Sequence, residues 1–430
     1  MKSIWTKNAE FSGGATLDGD TKCDVLVIGG GMAGILCAHE LTKKGADCIL
    51  VEADTLCGGI TKNTTAKITV QHGAVYSEIV KKYGDMAARI YFGAQNSALL
   101  KYQEMCRDID CDFETQDAVL YSRDNRTLIE KEAAAYKKAG IKAEFTENVG
   151  LPFGAVGLRI SGQAQFHPLK FAFAVAEKIR VFEHTKVLEF TPDTVVTNRG
   201  KIRAEKTIVA THFPIINRHG AYFLKMYQHR SYVVALSGAD EVDGMYVDAE
   251  KKGLSFRNYN GLLLLGGGSH RTGKKGGGWT ELQDFAKRHY PHARQVARWA
   301  TQDCMTLDGI PYIGQYSRNT PNLFVATGFN KWGMTSSMVA ATLLTDMITG
   351  QKNSAAEVFS PSRRILHPQL AVNAAESIAG LITPTAPRCP HMGCALKYNR
   401  QEHSWDCPCH GSRFTEAGEL IGNPATDDRK

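Results

Sequence analysis

Gly29-Gly30-Gly31-Met32-Ala33-Gly34 constrains the fold of this chain more than any other stretch. It follows Asp24 to Ile28, which reads as a buried strand, and opens Met32 to Lys44, which reads as a helix stopped by Gly45. Cys48 to Val51 then reads as a second strand running into Glu52. Strand, glycine turn and helix in that order begin a βαβ unit, and the spacing fits G-x-G-x-x-G. The three glycines serve different ends. Gly29 permits the tight turn, Gly31 lets backbone approach a pyrophosphate, and Gly34 lets helix and strand pack closely. The helix N-terminus at Met32 and Ala33 offers amide donors to phosphates. Glu52, followed by Ala53, stands where a carboxylate can accept from a ribose hydroxyl. The motif predicts a Rossmann-like nucleotide-binding domain without choosing NAD or FAD.

The chain has 430 residues, too many for one small core, so two or three packed units are expected. Hydrophobic residues make up 43% and charged ones 22%, which excludes a disordered or fibrous chain. The net charge of +7 is a mild bias over this length, and no nucleic-acid partner is inferred. No apolar run reaches the roughly 18 to 20 residues of a transmembrane segment, and the first residues lack a signal-peptide core. A cytoplasmic location is the expectation.

Further along, helical periodicity covers Ser77 to Ile109, Leu128 to Ala139, His167 to Lys178, Thr280 to His289 and Thr335 to Ile348. Ala155 to Ile160 reads as extended. Val187 to Phe190, Thr194 to Thr197 and Thr207 to Ala210 read as strands divided by Pro192 and by Asn198 with Gly200. Ser231 to Ser237, Gly253 to Arg257 and Leu262 to Leu265 suggest an antiparallel sheet. Gly350 to Pro387 reads as a linker with a helix over Leu370 to Ile382.

Several later segments carry a resemblance. Gly58-Gly59-Ile60-Thr61-Lys62-Asn63-Thr64-Thr65-Ala66-Lys67, Thr185-Lys186-Val187, Ile208-Val209-Ala210-Thr211, Asp308-Gly309-Ile310-Pro311-Tyr312-Ile313-Gly314, and Leu323-Phe324-Val325-Ala326-Thr327-Gly328 with Gly333-Met334-Thr335 occur in this order. Together with the glycine motif they resemble the FAD-dependent oxidoreductases of the D-amino-acid oxidase family over about residues 22 to 350. The resemblance implies FAD as cofactor. It implies a second phosphate and flavin loop at Gly59, Ile60, Thr64, Thr65 and Ala66, an adenine-side strand at Val187 and a returning strand at Ala210 and Thr211. It also implies a flavin-ring motif at Gly309, Gly328, Gly333, Met334 and Thr335, whose helix N-terminus would stabilise an anionic reduced flavin. His212 departs from the glycine the family often has there. The implied division is 1–75, 151–212 and 301–350 for an FAD-binding domain, and 76–150 and 213–300 for an α+β substrate domain. Arg257 or Tyr259 is a candidate to hold a substrate carboxylate, against a solvent-facing arginine as the alternative. His72 and His167 are candidates to line the ring, with a structural histidine as the alternative. Gly268-Ser269-His270-Arg271-Thr272-Gly273-Lys274-Lys275 nearly spells a P-loop but lacks the magnesium-binding hydroxyl, and reads as a basic hairpin loop.

Of eleven cysteines, seven are scattered and four fall between Cys389 and Cys409. Cys389-Pro390-His391 and Cys407-Pro408-Cys409-His410 give C-x-H and C-x-x-H. Two thiolates and two imidazoles, Cys389, Cys407, His391 and His410, are the ligand set of a Rieske [2Fe-2S] centre. A structural zinc site is the alternative, and six candidate ligands fit it less well. The strings Cys389 to Cys394 and Cys407 to Phe414 resemble the cluster loops of Rieske proteins, and Gly422-Asn423-Pro424-Ala425 resembles their proline loop. That resemblance implies a disulfide between Cys394 and Cys409. It adds a small all-β Rieske subdomain at 388–430 after a linker at 351–387, to an otherwise α/β chain.

A flavin holds one or two electrons and a Rieske cluster one, so the pairing predicts a two-to-one electron converter that passes electrons one at a time through the cluster, and the family resemblance implies an amine or amino-acid-like small molecule as the substrate oxidised. A one-electron acceptor protein or a quinone is the expected partner. The competing expectation is a redox-sensing or electron-carrying protein that turns over no small substrate.

Overall fold

In strand Thr21–Ile28 the second half, Val25, Leu26, Val27 and Ile28, is an unbroken aliphatic run buried on both faces, as a central parallel strand requires. In the computed structural model this strand lies between Cys48–Val51 and Lys201–Val209, both parallel to it. The residues described are 2–429, except 192, 217, 218, 251, 252, 365, 366, 385 and 386. Pro192, read above as a strand divider, lies outside them.

Two compact units form. The first comprises Met1–Lys7, Asn63–His167 and His229–Gln302, and the second Asn8–Lys62, Pro168–Gln228 and Asp303–Lys430. The second holds a nine-stranded sheet in which Lys201–Val209 also pairs in parallel with Leu323–Thr327, which pairs antiparallel with Tyr312–Gln315. Leu26, Ile28, Ile49, Val51, Val187 and Ile202 form one layer of its core. The helices Met32–Lys43 and Gly333–Ile348 pack on each other, so both elements that follow glycine motifs share one layer.

The first unit is organised around a mixed sheet that includes Glu114–Ser122, Val156–Gln165, Met245–Asp248, Ser255–Tyr259 and Leu262–Arg271. Helix Val75–Met105 replaces the helix expected over Ser77 to Ile109, and it is kinked where Gly84 adopts φ 84°. The basic hairpin loop expected at Gly268 to Lys275 is only half a loop. Strand Leu262–Arg271 continues through Gly268, where a Cβ would meet the Gly278 carbonyl oxygen at 2.3 Å. Glycine is there because two backbones meet.

In the second unit the C-terminal residues form a four-stranded antiparallel sheet of Lys397–Asn399, Ser404–Asp406, Arg413–Thr415 and Leu420–Gly422. Arg413 holds this small sheet together, donating to Asp406 at 2.9 Å and to Glu402 at 2.9 Å from a buried position. Helix Pro368–Ile382 precedes it. Among the described residues no helix is long and apolar enough to cross a membrane.

Candidate functional site

The glycine turn is shaped by what surrounds it. A Cβ on Gly29, at φ 110°, would lie 2.6 Å from the Ala210 carbonyl oxygen, and one on Gly34 would lie 1.9 Å from the Gly29 oxygen. Gly31 is different: the nearest foreign atom to a Cβ there is the Thr61 hydroxyl at 3.4 Å, and Gly59 would meet nothing within 4 Å. Side chains are therefore forbidden at Gly29 and Gly34 by the fold, whereas a Cβ at Gly31 would meet only the Thr61 hydroxyl at ordinary contact distance and Gly59 faces open space. The sequence placed Thr61 in the second loop but gave it no role of its own. Its hydroxyl accepts from the Met32 amide at 3.1 Å and so brings the second loop onto the N-terminus of Met32–Lys43.

Glu52 accepts from the amides of Gly30 at 2.7 Å and Asp54 at 3.0 Å. Burial raises its carboxyl pKa, and the backbone amides of Asp54, Gly30 and Ala53 oppose that. It thus ties the glycine turn to the end of strand Cys48–Val51. Thr185 donates its amide to the Glu52 carbonyl at 2.8 Å, which brings Val187 beside the same strand end. The Ala210 amide bonds the Ile28 carbonyl at 2.8 Å, so Ala210 and Thr211 lie directly against the turn. His212 takes φ 65°, a left-handed conformation that explains why glycine suits this position.

At the other end of the motif series, Gly309 and Gly328 both have positive φ, at 76° and 71°. Asn330 braces the turn, donating to the Gly328 carbonyl at 2.6 Å and accepting from the Thr306 amide at 2.7 Å. Gly333, Met334 and Thr335 start Gly333–Ile348, whose N-cap residue Trp332 supplies no side-chain hydrogen bond. A residue missed in the sequence is Arg363. Its guanidinium grips Asp308 with two bonds of 2.7 and 2.8 Å, donates to the Pro311 carbonyl at 3.0 Å, and lies 4.0 Å above the Tyr312 ring. The pair is buried, at 7% and 3% side-chain exposure, and clamps Asp308-Gly309-Ile310.

In the first unit four consecutive carbonyls of the loop Asn63 to Ala66 are held by buried side chains. Trp299 donates to Asn63 at 3.0 Å, Trp5 to Thr64 at 2.7 Å, and Arg257 to Thr65 at 2.6 Å and Ala66 at 3.1 Å. Arg257 is fully buried, which rules out the solvent-facing alternative, and desolvation lowers its pKa to about 9. Its donors hold the loop. Tyr259 donates to Asp112 at 2.7 Å. His72 bonds the Thr69 carbonyl at 2.8 Å and the Tyr91 hydroxyl at 2.7 Å. A carbonyl only accepts, so Nε2 carries the proton and Nδ1 accepts from Tyr91. Burial lowers this imidazole to about 3, so it stays neutral. His167 packs edge-on to Trp5 at 5.1 Å.

Lys67 follows this loop, and desolvation, with Arg257 adding repulsion, lowers its ammonium to about 7. The sign is that of a depressed base: charged below about pH 7, neutral above, with folding stability rising between there and the unfolded lysine value near 10.4. An NMR titration of isotopically labelled lysines is expected to show one resonance moving near pH 7 that disappears in Lys67→Met. All lysines titrating near 10 would contradict this.

The cluster loops converge in the second unit. Cys389 and Cys407 are hydrogen-bonded thiols: the bond from Cys407, helped by the His391 and Met392 amides, lowers Cys389 to about 7 and raises Cys407. The rings of His391 and His410 face each other edge to face, with centroids 5.0 Å apart. Cys394 and Cys409 form a disulfide with 6.7 Å between Cα atoms. Cys394, Cys407 and Cys409 sulfurs also lie within 4.8 Å of one another, but the disulfide engages two of the three. Two thiols in contact with each other and two imidazoles in contact with each other are the donor types a [2Fe-2S] centre needs.

A family model of FAD dependent oxidoreductases matches residues 24–347, three quarters of the chain. The chain belongs to the FAD-dependent oxidoreductase family. In this oxidoreductase a Rieske [2Fe-2S] domain follows, matched over residues 355–429, and the cofactors are FAD and the [2Fe-2S] cluster. The oxidoreductase is 34% identical to a putative Rieske 2Fe-2S iron-sulfur protein, YhfW, of Bacillus subtilis strain 168, over 99% of this chain and 96% of that protein. It is 23% identical to gamma-glutamylputrescine oxidoreductase of Escherichia coli strain K12, over 78% and 85% of the two chains. Among solved structures, glycine oxidase from Geobacillus kaustophilus superposes with a TM-score of 0.68 at 20% identity, over 80% of this chain and all of that one.

Proposed function

We propose that this oxidoreductase takes two electrons from an amine or amino-acid-like substrate and releases them singly through its Rieske centre to a one-electron acceptor protein or a quinone. When bound, FAD supplies a carrier of one or two electrons and the cluster a carrier of one. The observation that carries the reading is that the cluster loops and the glycine turn belong to one compact unit. The names of the glycine oxidase and of the gamma-glutamylputrescine oxidoreductase support the substrate class.

We assign FAD binding to Gly29, Gly31, Met32, Ala33, Gly34, Glu52 and Ala53, to the loop Gly59 to Ala66, to Val187, Ala210 and Thr211, and to Gly309, Gly328, Gly333, Met334 and Thr335. Cys389 and Cys407 would hold one iron, and His391 and His410 the other. FAD binding is assigned to 1–75, 151–212 and 301–350, substrate recognition to 76–150 and 213–300, and the cluster to 388–430 beyond a linker at 351–387. The contact-defined units, with borders near 63, 168, 229 and 303, support this in outline. Arg257 is not assigned to a substrate carboxylate, because its donors are engaged by the Thr65 and Ala66 carbonyls.

The test is anaerobic addition of candidate amines and amino acids to the holoprotein. Bleaching of the flavin band by at least one of them is the expected result. A flavin that no candidate bleaches, but that dithionite reduces, would favour the sensing or electron-carrying alternative.

A further inference from the structure

We propose that Gln228 and Asn423 are positioning residues that lock the second cluster-binding loop against the segment beside the glycine turn, so that the cluster operates from one fixed station. This rests on the electron-relay reading above. Gln228 is 1% exposed, and its single amide nitrogen donates to two separate loops, at 2.9 Å to the His410 carbonyl and 2.8 Å to the Asn423 carbonyl. The side-chain amide of Asn423 donates in turn to the Thr211 carbonyl and, at 3.0 Å, to that of Phe213. Thr211 follows Ala210, whose carbonyl limits Gly29. A continuous run of contacts therefore joins the glycine turn, Ala210 and Thr211, Asn423, Gln228 and His410.

Three further features belong to the same lock. Gly411 stands at φ 91° with its would-be Cβ 2.5 Å from the Gln228 Cβ, so the loop closes on Gln228 only because position 411 has no side chain. Phe223 meets the His410 ring edge-on at 6.0 Å. Lys186, next to Val187, donates to the Thr426 carbonyl at 2.5 Å. The two candidate imidazole ligands differ in exposure: His410 is 1% exposed, whereas His391 is partly exposed beside Met392 at 41%. Apolar side chains would bury as well as these amides do, but would not fix a register. A buried and a half-buried primary amide, each with its N–H groups matched to carbonyls, do so, and neither titrates.

Photoreduced holoenzyme, carrying flavin radical and reduced cluster together, is the sample for pulsed electron-spin distance measurement. Wild type is expected to give one narrow distance distribution. Gln228→Leu and Asn423→Ala should broaden it, and should speed amide hydrogen exchange across residues 407–413 by roughly tenfold, as loss of two buried hydrogen bonds implies. A variant distribution as narrow as wild type, with unchanged exchange, overturns the proposal. Wild type alone also tests it, should a variant not fold: the Gly411 amide must exchange as slowly as those of Val25 to Ile28, and exchange at exposed-loop rates overturns the lock. If the wild-type distance is narrow and its amides protected but reduced flavin never reduces the cluster, the relay reading fails and the lock stands.

Discussion

His410→Ala is expected to abolish the Rieske signal while leaving FAD bound. Wild-type protein should carry about two iron and two acid-labile sulfide per chain, and the variant close to none. The reason is geometric. With the His410 ring gone, the ring 5.0 Å from it, that of His391, faces an empty position, and one iron keeps a single protein ligand. The flavin-binding segments are separate from the ring, since His410 reaches Gln228 through its backbone carbonyl, which alanine retains. Flavin absorbance should therefore survive. Retention of the signal in this variant would remove His410 from the ligand set, and one zinc without sulfide in wild type would support the structural-metal alternative.

Arg363→Met should be the most damaging substitution away from the cluster. It leaves the Asp308 carboxylate buried at 3% exposure without its bidentate partner, and it removes the donor to the Pro311 carbonyl. Breaking a buried pair from one side costs about 3–5 kcal/mol. Denaturant unfolding of the holoprotein should show a loss of that order, with flavin release at lower denaturant than in wild type. Asp308→Asn combined with Arg363→Met should recover part of it, because an amide tolerates burial better than an unpaired charge. A single variant within about 1 kcal/mol of wild type would mean that the clamp around Gly309 is dispensable.

What was legible in the sequence was what local pattern decides. Cys48–Val51, Val187–Phe190 and Thr194–Thr197 were bounded to the residue, because short apolar or β-branched runs between turn residues have few other fates. The cysteine and histidine spacings likewise announced a cluster, since thiols and imidazoles that close together have little other use. Two long strands, Glu114–Ser122 and Arg294–Thr306, went unread. The second is half exposed for most of its length and runs at one end of its sheet, so it carries no clear alternation for pattern to detect. Arg363 and Gln228 were invisible for another reason. Each acts on a partner 55 or 182 residues away, and nothing beside them in the chain marks it. The same applies to Arg257, where residue type suggested a substrate ligand and burial gave it to the Thr65 and Ala66 carbonyls.

Gly380, in the last turn of Pro368–Ile382, would place a Cβ 2.5 Å from the Cys409 sulfur and 3.3 Å from the Cys394 Cβ. Its carbonyl also receives the Ala395 amide at 3.0 Å and the Arg388 guanidinium at 3.1 Å. Glycine and disulfide are therefore joined as heritable characters. A lineage that acquires alanine at 380 must yield the bridge or move the helix, since the sulfur a Cβ there would strike is that of Cys409. Descendants that keep both cysteines and this helix position should keep glycine at 380, making a larger residue there a marker, outside the cluster loops, that the brace has been lost or rebuilt.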